Sequence, residues 1–132
     1  MRLTLDTNVL ARVLVDDPSA PEQCKAARKA VAGAKTLVVP QVVQVELCWL
    51  LESAFALTSA EVLHVLQSLR ANPRVELEHP AIFDATVNRF CLAAGCGFAD
   101  CMVAVVAAKQ DSTLLTFDKK LARHLGITAL RA

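Results

Sequence analysis

The sequence predicts an α/β fold, a three-layer α/β/α sandwich around a central, mostly parallel sheet. Three observations carry that expectation. Short apolar or β-branched runs alternate with helix-patterned stretches along the whole chain, the order that sets parallel strands side by side with helices over both faces. Turn and cap residues mark most of the junctions, with no linker, internal repeat or low-complexity segment between them. The length of 132 residues suits one domain with one core, so residues 1–132 are expected to form a single domain.

Each element has its own signal. Leu3 and Leu5 alternate with polar residues, the period of a half-buried strand. From Val9 the spacing becomes that of a helix face, through Leu10, Val13 and Leu14, until Asp16-Asp17-Pro18 breaks it. Ser19-Ala20-Pro21-Glu22 reads as a capping box for a second helix, ending near residue 32 with Gly33 as its stop. Residues 36–39 are a β-branched run, read as a strand. Pro40 closes that strand, and a third helix is expected over residues 41–55. Thr58-Ser59-Ala60-Glu61 is a second capping box, and its helix shows Val62, Leu63, Leu66 and Leu69 on one face before Asn72-Pro73. Residues 74–77 read as a strand. Pro80 opens a helix that should run to residue 94, with Gly95 as its stop, and another should span residues 100–110. Residues 113–116 and 127–130 read as two last strands, either side of a short helix that ends at Gly126.

Composition narrows the function. A formal net charge of +1 provides no global basic field for nucleic acid. A polyanion would have to be held by a local patch or through metal ions. Tyrosine is absent and aromatic residues make up 5%, which argues against a base-stacking platform. The 55% hydrophobic share exceeds the usual range, yet no apolar run approaches the roughly 20 residues that span a bilayer. The surplus is expected to cover a subunit interface or a partner groove. The five cysteines are odd in number and show no C-x-x-C spacing, so reduced, buried thiols are expected rather than disulfides or structural zinc. Asp6 interrupts the first apolar segment before a signal peptide could form, and a cytoplasmic location is expected.

Four acids stand in positions that ask for a function. Asp6 falls where the first strand hands over to a helix, and ligands of open α/β sheets bind at the carboxyl ends of strands. Such an Asp also serves as an ordinary helix N-cap. Glu46 lies mid-helix with Val42, Trp49 and Leu50 as its helical neighbours, a face expected to point at the core or at a pocket edge. Asp100 begins a very apolar helix, again as site or cap, and Asp118 repeats the strand-to-helix placement of Asp6. Gathered in one pocket, four carboxylates would repel one another or take up protons. A hard divalent cation relieves that conflict, and Mg²⁺ or Mn²⁺ prefers oxygen ligands. None of His64, His79 or His124 lies beside these acids in sequence, and each reads as a surface or boundary residue. Such a site suits phosphodiester hydrolysis.

The four segments together resemble a PIN-domain ribonuclease, and closely the VapC-type toxins of toxin–antitoxin pairs. The matching residues are Leu5-Asp6-Thr7-Asn8, Glu46 within Gln44-Val45-Glu46-Leu47, Phe98-Ala99-Asp100, and Leu115-Thr116-Phe117-Asp118-Lys119-Lys120-Leu121. Phe98 stands where many relatives carry another apolar or aromatic residue. The resemblance implies a PIN-like fold and a metal-holding quartet of Asp6, Glu46, Asp100 and Asp118, with Asn8 and Thr116 orienting the acids or a water. It also implies Mg²⁺ or Mn²⁺ as cofactor, structured RNA (tRNA or rRNA) as substrate, 5′-phosphate and 3′-hydroxyl ends, a homodimer, and silencing by an antitoxin. Arg12, Lys119, Lys120 and Arg123 lie near these segments and are candidates for flanking phosphates, or else solvated helix faces. Asp84 reads as a solvent-facing or supporting acid.

Two rival readings remain. A haloacid-dehalogenase-like phosphatase needs a second Asp two residues after the first, where this chain has Asn8. A non-catalytic PIN-like RNA-binding or interaction module is the alternative that only an assay separates.

Overall fold

β1 (Arg2–Thr4) lies parallel beside β2 (Thr36–Val39), and β2 parallel beside β3 (Val75–Leu77), in the computed structural model, which describes residues 1–92 and 95–132. The sheet order is β1-β2-β3, with Leu3 opposite Leu37 and Leu37 opposite Val75. Parallel neighbours cannot be joined by a tight hairpin and require a crossover. Here each crossover is a helix pair. α1 (Thr7–Leu14) and α2 (Pro21–Ala32) join β1 to β2; α3 (Gln41–Ser53) and α4 (Ser59–Ala71) join β2 to β3. The fold is α/β, as expected, and the sheet is wholly parallel.

The described residues fall into two compact units, Met1–Pro80 and Ala81–Ala132. In the first, Leu37, Val39 and Leu77 from the sheet are buried, as are Leu10, Leu47 and Leu66 from the helices. α1 packs on α2 and α3, and α4 on α3 and β3. The second unit holds α5 (Pro80–Leu92), α6 (Phe98–Lys109) and α7 (Lys119–Leu125). Its core contains the Phe98 ring, whose centroid lies 6.2 Å from that of Phe83 and 6.0 Å from that of Phe90.

Several local expectations are corrected. Residues 113–116 and 127–130 form no strands; one backbone hydrogen bond, from Leu130 N–H to the Thr116 carbonyl at 2.7 Å, joins them. Leu115 is 74% exposed and Leu130 46%, so no covering layer rewards a ladder there. Ser19 does not cap α2, whose N-cap is Ala20; its N–H and hydroxyl both donate to Asp17 Oδ1, at 2.9 and 2.6 Å. α3 stops at Ser53, two residues early, and α6 starts at Phe98, two residues before Asp100. The expected end of α5 at residue 94 lies outside the described residues. The Thr58–Glu61 capping box is present in full. Gly126 closes α7 in the left-handed conformation (φ 67°), which glycine adopts without strain. All five cysteines are free; Cys91 is exposed and the rest are buried. Burial pushes the Cys101 thiol up to about 11, so it stays protonated.

Candidate active site

A parallel sheet delivers the carboxyl ends of its strands to one edge. β1 ends just before Asp6, β2 just before Pro40, and β3 just before Glu78. Leu5 N–H still pairs with the Val38 carbonyl at 3.0 Å, so Asp6 is the first residue beyond the ladder. Its backbone is extended (φ −71°, ψ 156°), and its carbonyl accepts from Leu10 N–H at 3.0 Å, the first bond of α1. Asp6 Oδ1 accepts from Thr7 N–H at 2.6 Å. Capping therefore occupies one oxygen, and Oδ2 has no partner among the described residues on an exposed side chain. Next to it, the buried Thr7 hydroxyl has no hydrogen-bond partner among the described residues. Asn8 is exposed in the first turn of α1.

Glu46 sits on α3, which packs against α1. The face expected to look at the core looks at solvent instead. Glu46 is exposed, Val42 is 63% exposed and Trp49 69%. The core stripe of α3 is Val43, Gln44, Leu47, Cys48 and Leu51, one position away around the helix. The helix carries two apolar stripes, and a pattern count cannot say which of them is buried.

Gln44, absent from the sequence-derived site, organises this edge of the sheet. It is fully buried, and its Nε2 donates to the carbonyls of Val39 (3.1 Å) and Glu78 (2.8 Å), tying the ends of β2 and β3 together. The Glu78 carboxylate accepts from Gln41 N–H at 2.8 Å and caps α3 from the neighbouring strand. Both contacts are long-range, so no local motif announces them. A Gln inside an apolar helix face was the one available signal.

In the second unit, Asp118 is the N-cap of α7: its Oδ1 accepts from Lys120 N–H at 2.9 Å and Leu121 N–H at 3.0 Å. The Thr116 hydroxyl accepts from Asp118 N–H at 3.0 Å and fixes the turn that presents the acid. Oδ2 of Asp118 has no partner among the described residues. Asp100 is not an N-cap. Gly97 holds that position, and Asp100 stands half-buried in the first turn of α6, with no hydrogen bond among the described residues. These two acids share a neighbourhood. The buried Cys96 thiol is pushed up by desolvation first and then by both Asp100 and Asp118, while Lys120 and Arg89 pull it down. The exposed Lys120 side chain passes over the backbone at Gly95. Gly95 has φ +83°, and a Cβ on it would lie 2.7 Å from the Lys120 Cε and Nζ. The positive φ favours glycine, and a Cβ there would push the flexible end of Lys120 aside.

The cationic candidates differ in how far they are committed. Arg12 is bound to Asp17 at 2.7 Å and to Gln23 at 3.0 Å. Lys119, Lys120 and Arg123 are exposed and make no ion pair among the described residues. Exposed His64, His79 and His124 agree with the reading of them as surface residues.

The acids are thus placed as two in each unit. None of the four is in an ion pair among the described residues. No three His, Cys, Asp or Glu side chains stand together as a metal-holding group among those residues. The chemistry of the donors nonetheless suits a hard divalent ion: carboxylate oxygens, two of them left over from capping, and none in an ion pair among the described residues.

The PIN domain family profile matches residues 3–125. The chain belongs to the PIN domain family, a nuclease-type fold whose members are generally ribonucleases that bind RNA and usually hold divalent metal ions. A comparison with curated proteins finds no match. No helix among the described residues is long and apolar enough to cross a membrane.

Proposed function

We propose that the protein is a Mg²⁺-dependent endoribonuclease, able to use Mn²⁺, that cuts structured RNA such as tRNA or rRNA. In this reading it is a VapC-type toxin that acts in the cytoplasm as a homodimer, blocks translation and is neutralised by a cognate antitoxin. The observation that carries the proposal is the double use of Asp6 and Asp118. Each spends one oxygen on a helix N-terminus and keeps the other free, at strand-end or turn positions of a PIN-family chain. The cap fixes the carboxylate's direction before any ligand arrives, which is preorganisation.

Asp6, Glu46, Asp100 and Asp118 would hold the ion. When bound, Mg²⁺ would polarise the phosphodiester, activate water and offset charge on the leaving oxygen. Thr116 holds the Asp118 turn in place, and Asn8 offers an amide beside Asp6 to orient a water. Lys119, Lys120 and Arg123 supply positive charge for flanking phosphates. The exposed Val42 and Trp49 beside Glu46 form an apolar surface suited to a second subunit or an antitoxin segment.

Incubation of the purified protein with total tRNA and rRNA, with Mg²⁺ or with chelator, tests the reading. The expected result is discrete cuts with 5′-phosphate ends that vanish with chelator. RNA binding that ignores chelator and leaves the RNA whole would replace it with the non-catalytic binding module.

A further inference from the structure

Three helices of the second unit line an open cavity of about 530 Å³ that the proposed acid site does not use. α5 lines it with Asn88, Arg89 and Leu92, α6 with Val105 and Lys109, and α7 with His124. The polar lining is one-sided: a guanidinium, an ammonium, an imidazole and a carboxamide, with no carboxylate. Arg89, Lys109 and His124 each stand in the last turn of a different helix. A last-turn cation offsets about half a charge at its own helix end, so Arg89 and Lys109 leave positive charge over. None of the three makes a side-chain hydrogen bond or ion pair among the described residues.

Unpaired cations converging on a concave space suit an anion, and a guanidinium beside an ammonium suits phosphate above all. The volume lies within the roughly 300–1,000 Å³ of small-molecule sites. Leu92 and Val105 give an apolar wall for a base or ribose, and the Asn88 amide offers both a donor and an acceptor. One lining residue is within electrostatic reach of the thiol that the acids also influence. Arg89 acts electrostatically on the Cys96 thiol, as do Asp100 and Asp118.

We propose that this cavity is a phosphate-binding subsite that takes one nucleotide unit, either of RNA running past the acid pair or of a free nucleotide. Arg89 and Lys109 hold the phosphate, and Leu92 and Val105 pack against the rest of the unit. The RNA source rests on the ribonuclease reading; the free-nucleotide source does not.

Binding measured in chelator, where no cutting occurs, tests both sources. The probes are a single-stranded oligoribonucleotide and a ribonucleoside 5′-monophosphate. The proteins are the wild type, Arg89→Ala/Lys109→Ala, the single reversal Lys109→Glu at an exposed position, and the control Lys25→Ala/Lys29→Ala, which removes equal charge from exposed positions of α2. With RNA as the source, the cavity variants weaken oligonucleotide binding about tenfold. The slope of log affinity against log salt also falls by about 0.7 per phosphate released, while the control keeps the wild-type slope. With a free nucleotide as the source, the monophosphate shifts the Asn88 and Lys109 amide resonances of the wild type, and the cavity variants abolish the shifts. Either pattern supports the subsite. Equal loss in cavity and control variants, or a folded Lys109→Glu protein that responds to both probes as the wild type does, overturns it. Wild-type protein that never cuts RNA in Mg²⁺ but still shows the monophosphate shifts would sink the ribonuclease reading and leave the cavity standing.

Discussion

Replacing Asp118 by Asn and, separately, by Ala divides its two roles. The carboxylate caps α7 through Oδ1, which accepts from Lys120 N–H at 2.9 Å and Leu121 N–H at 3.0 Å. An Asn side-chain oxygen accepts the same bonds, and Asn caps as well as Asp. Asp118→Asn therefore leaves folding stability within a few tenths of a kcal/mol. Asp118→Ala strips the cap, for about 1 kcal/mol, which lowers Tm by about 4 °C for a chain of this size. Activity divides differently. Both substitutions remove the same negative charge, and loss of one preorganised electrostatic group costs roughly 100- to 1,000-fold in turnover. Thermal melts paired with single-turnover cleavage of an RNA substrate in saturating Mg²⁺ read both quantities. Nearly equal rates for the Asn and Ala variants, far below wild type, with only Ala less stable, is the expected pattern. An Asn variant that cuts RNA within threefold of wild type would reduce Asp118 to a helix cap and refute its place in the metal site.

Two further outcomes follow from contacts elsewhere in the first unit. Gln44→Leu removes two hydrogen bonds across the ends of β2 and β3; the Val39 carbonyl keeps its bond from Glu78 N–H at 3.0 Å, but the Glu78 carbonyl loses its side-chain partner. The expected cost, by chemical denaturation, is about 1–3 kcal/mol, with unchanged or raised stability counting against the staple. Glu61 has its carboxyl held below its ordinary value of 4.5 by the Thr58 backbone N–H first and then by the Thr58 side chain. A depressed folded value stabilises the protein above the unfolded one and is lost as pH falls through it. Melts from pH 6 downward should show wild type losing more stability below about pH 4.5 than Glu61→Gln does; parallel curves would remove the capping box as a source of acid sensitivity.

Local chemistry was readable in the sequence wherever its partners were close in the chain. The Thr58–Glu61 box, the Asp6 junction and the Gly126 stop each involve residues within a turn or two, and each stands where the sequence puts it. Ser19 shows the limit even at short range. Its hydroxyl had two nearby uses, and Asp17 two residues back won over the helix N-terminus. Burial was harder. The Val42–Glu46–Trp49 face and the Val43–Leu47–Leu51 face of α3 are both apolar, and the choice between them depends on where β2 and α1 lie. Residues 113–116 and 127–130 have strand-like composition, but a strand exists only when a neighbour pairs with it along its length. Of the candidate site, the sequence located Asp6 at a strand end, but it read Asp118 after a strand that does not form and Glu46 on a helix face that is exposed. It could not place Gln44, Glu78 or Gly95 beside their partners, because those contacts join segments that the chain itself keeps apart.

Trp49 is the chain's lone tryptophan, in a protein without tyrosine, and it projects from α3 a single turn past Glu46 with 69% of its surface open. Ultraviolet emission from this protein therefore comes almost wholly from one indole. An ion captured by Glu46, a second subunit, or a peptide laid across Val42 would alter that indole's surroundings directly. The fold thus carries an intrinsic optical reporter one helical turn from Glu46, and occupancy there can be followed without attaching a dye.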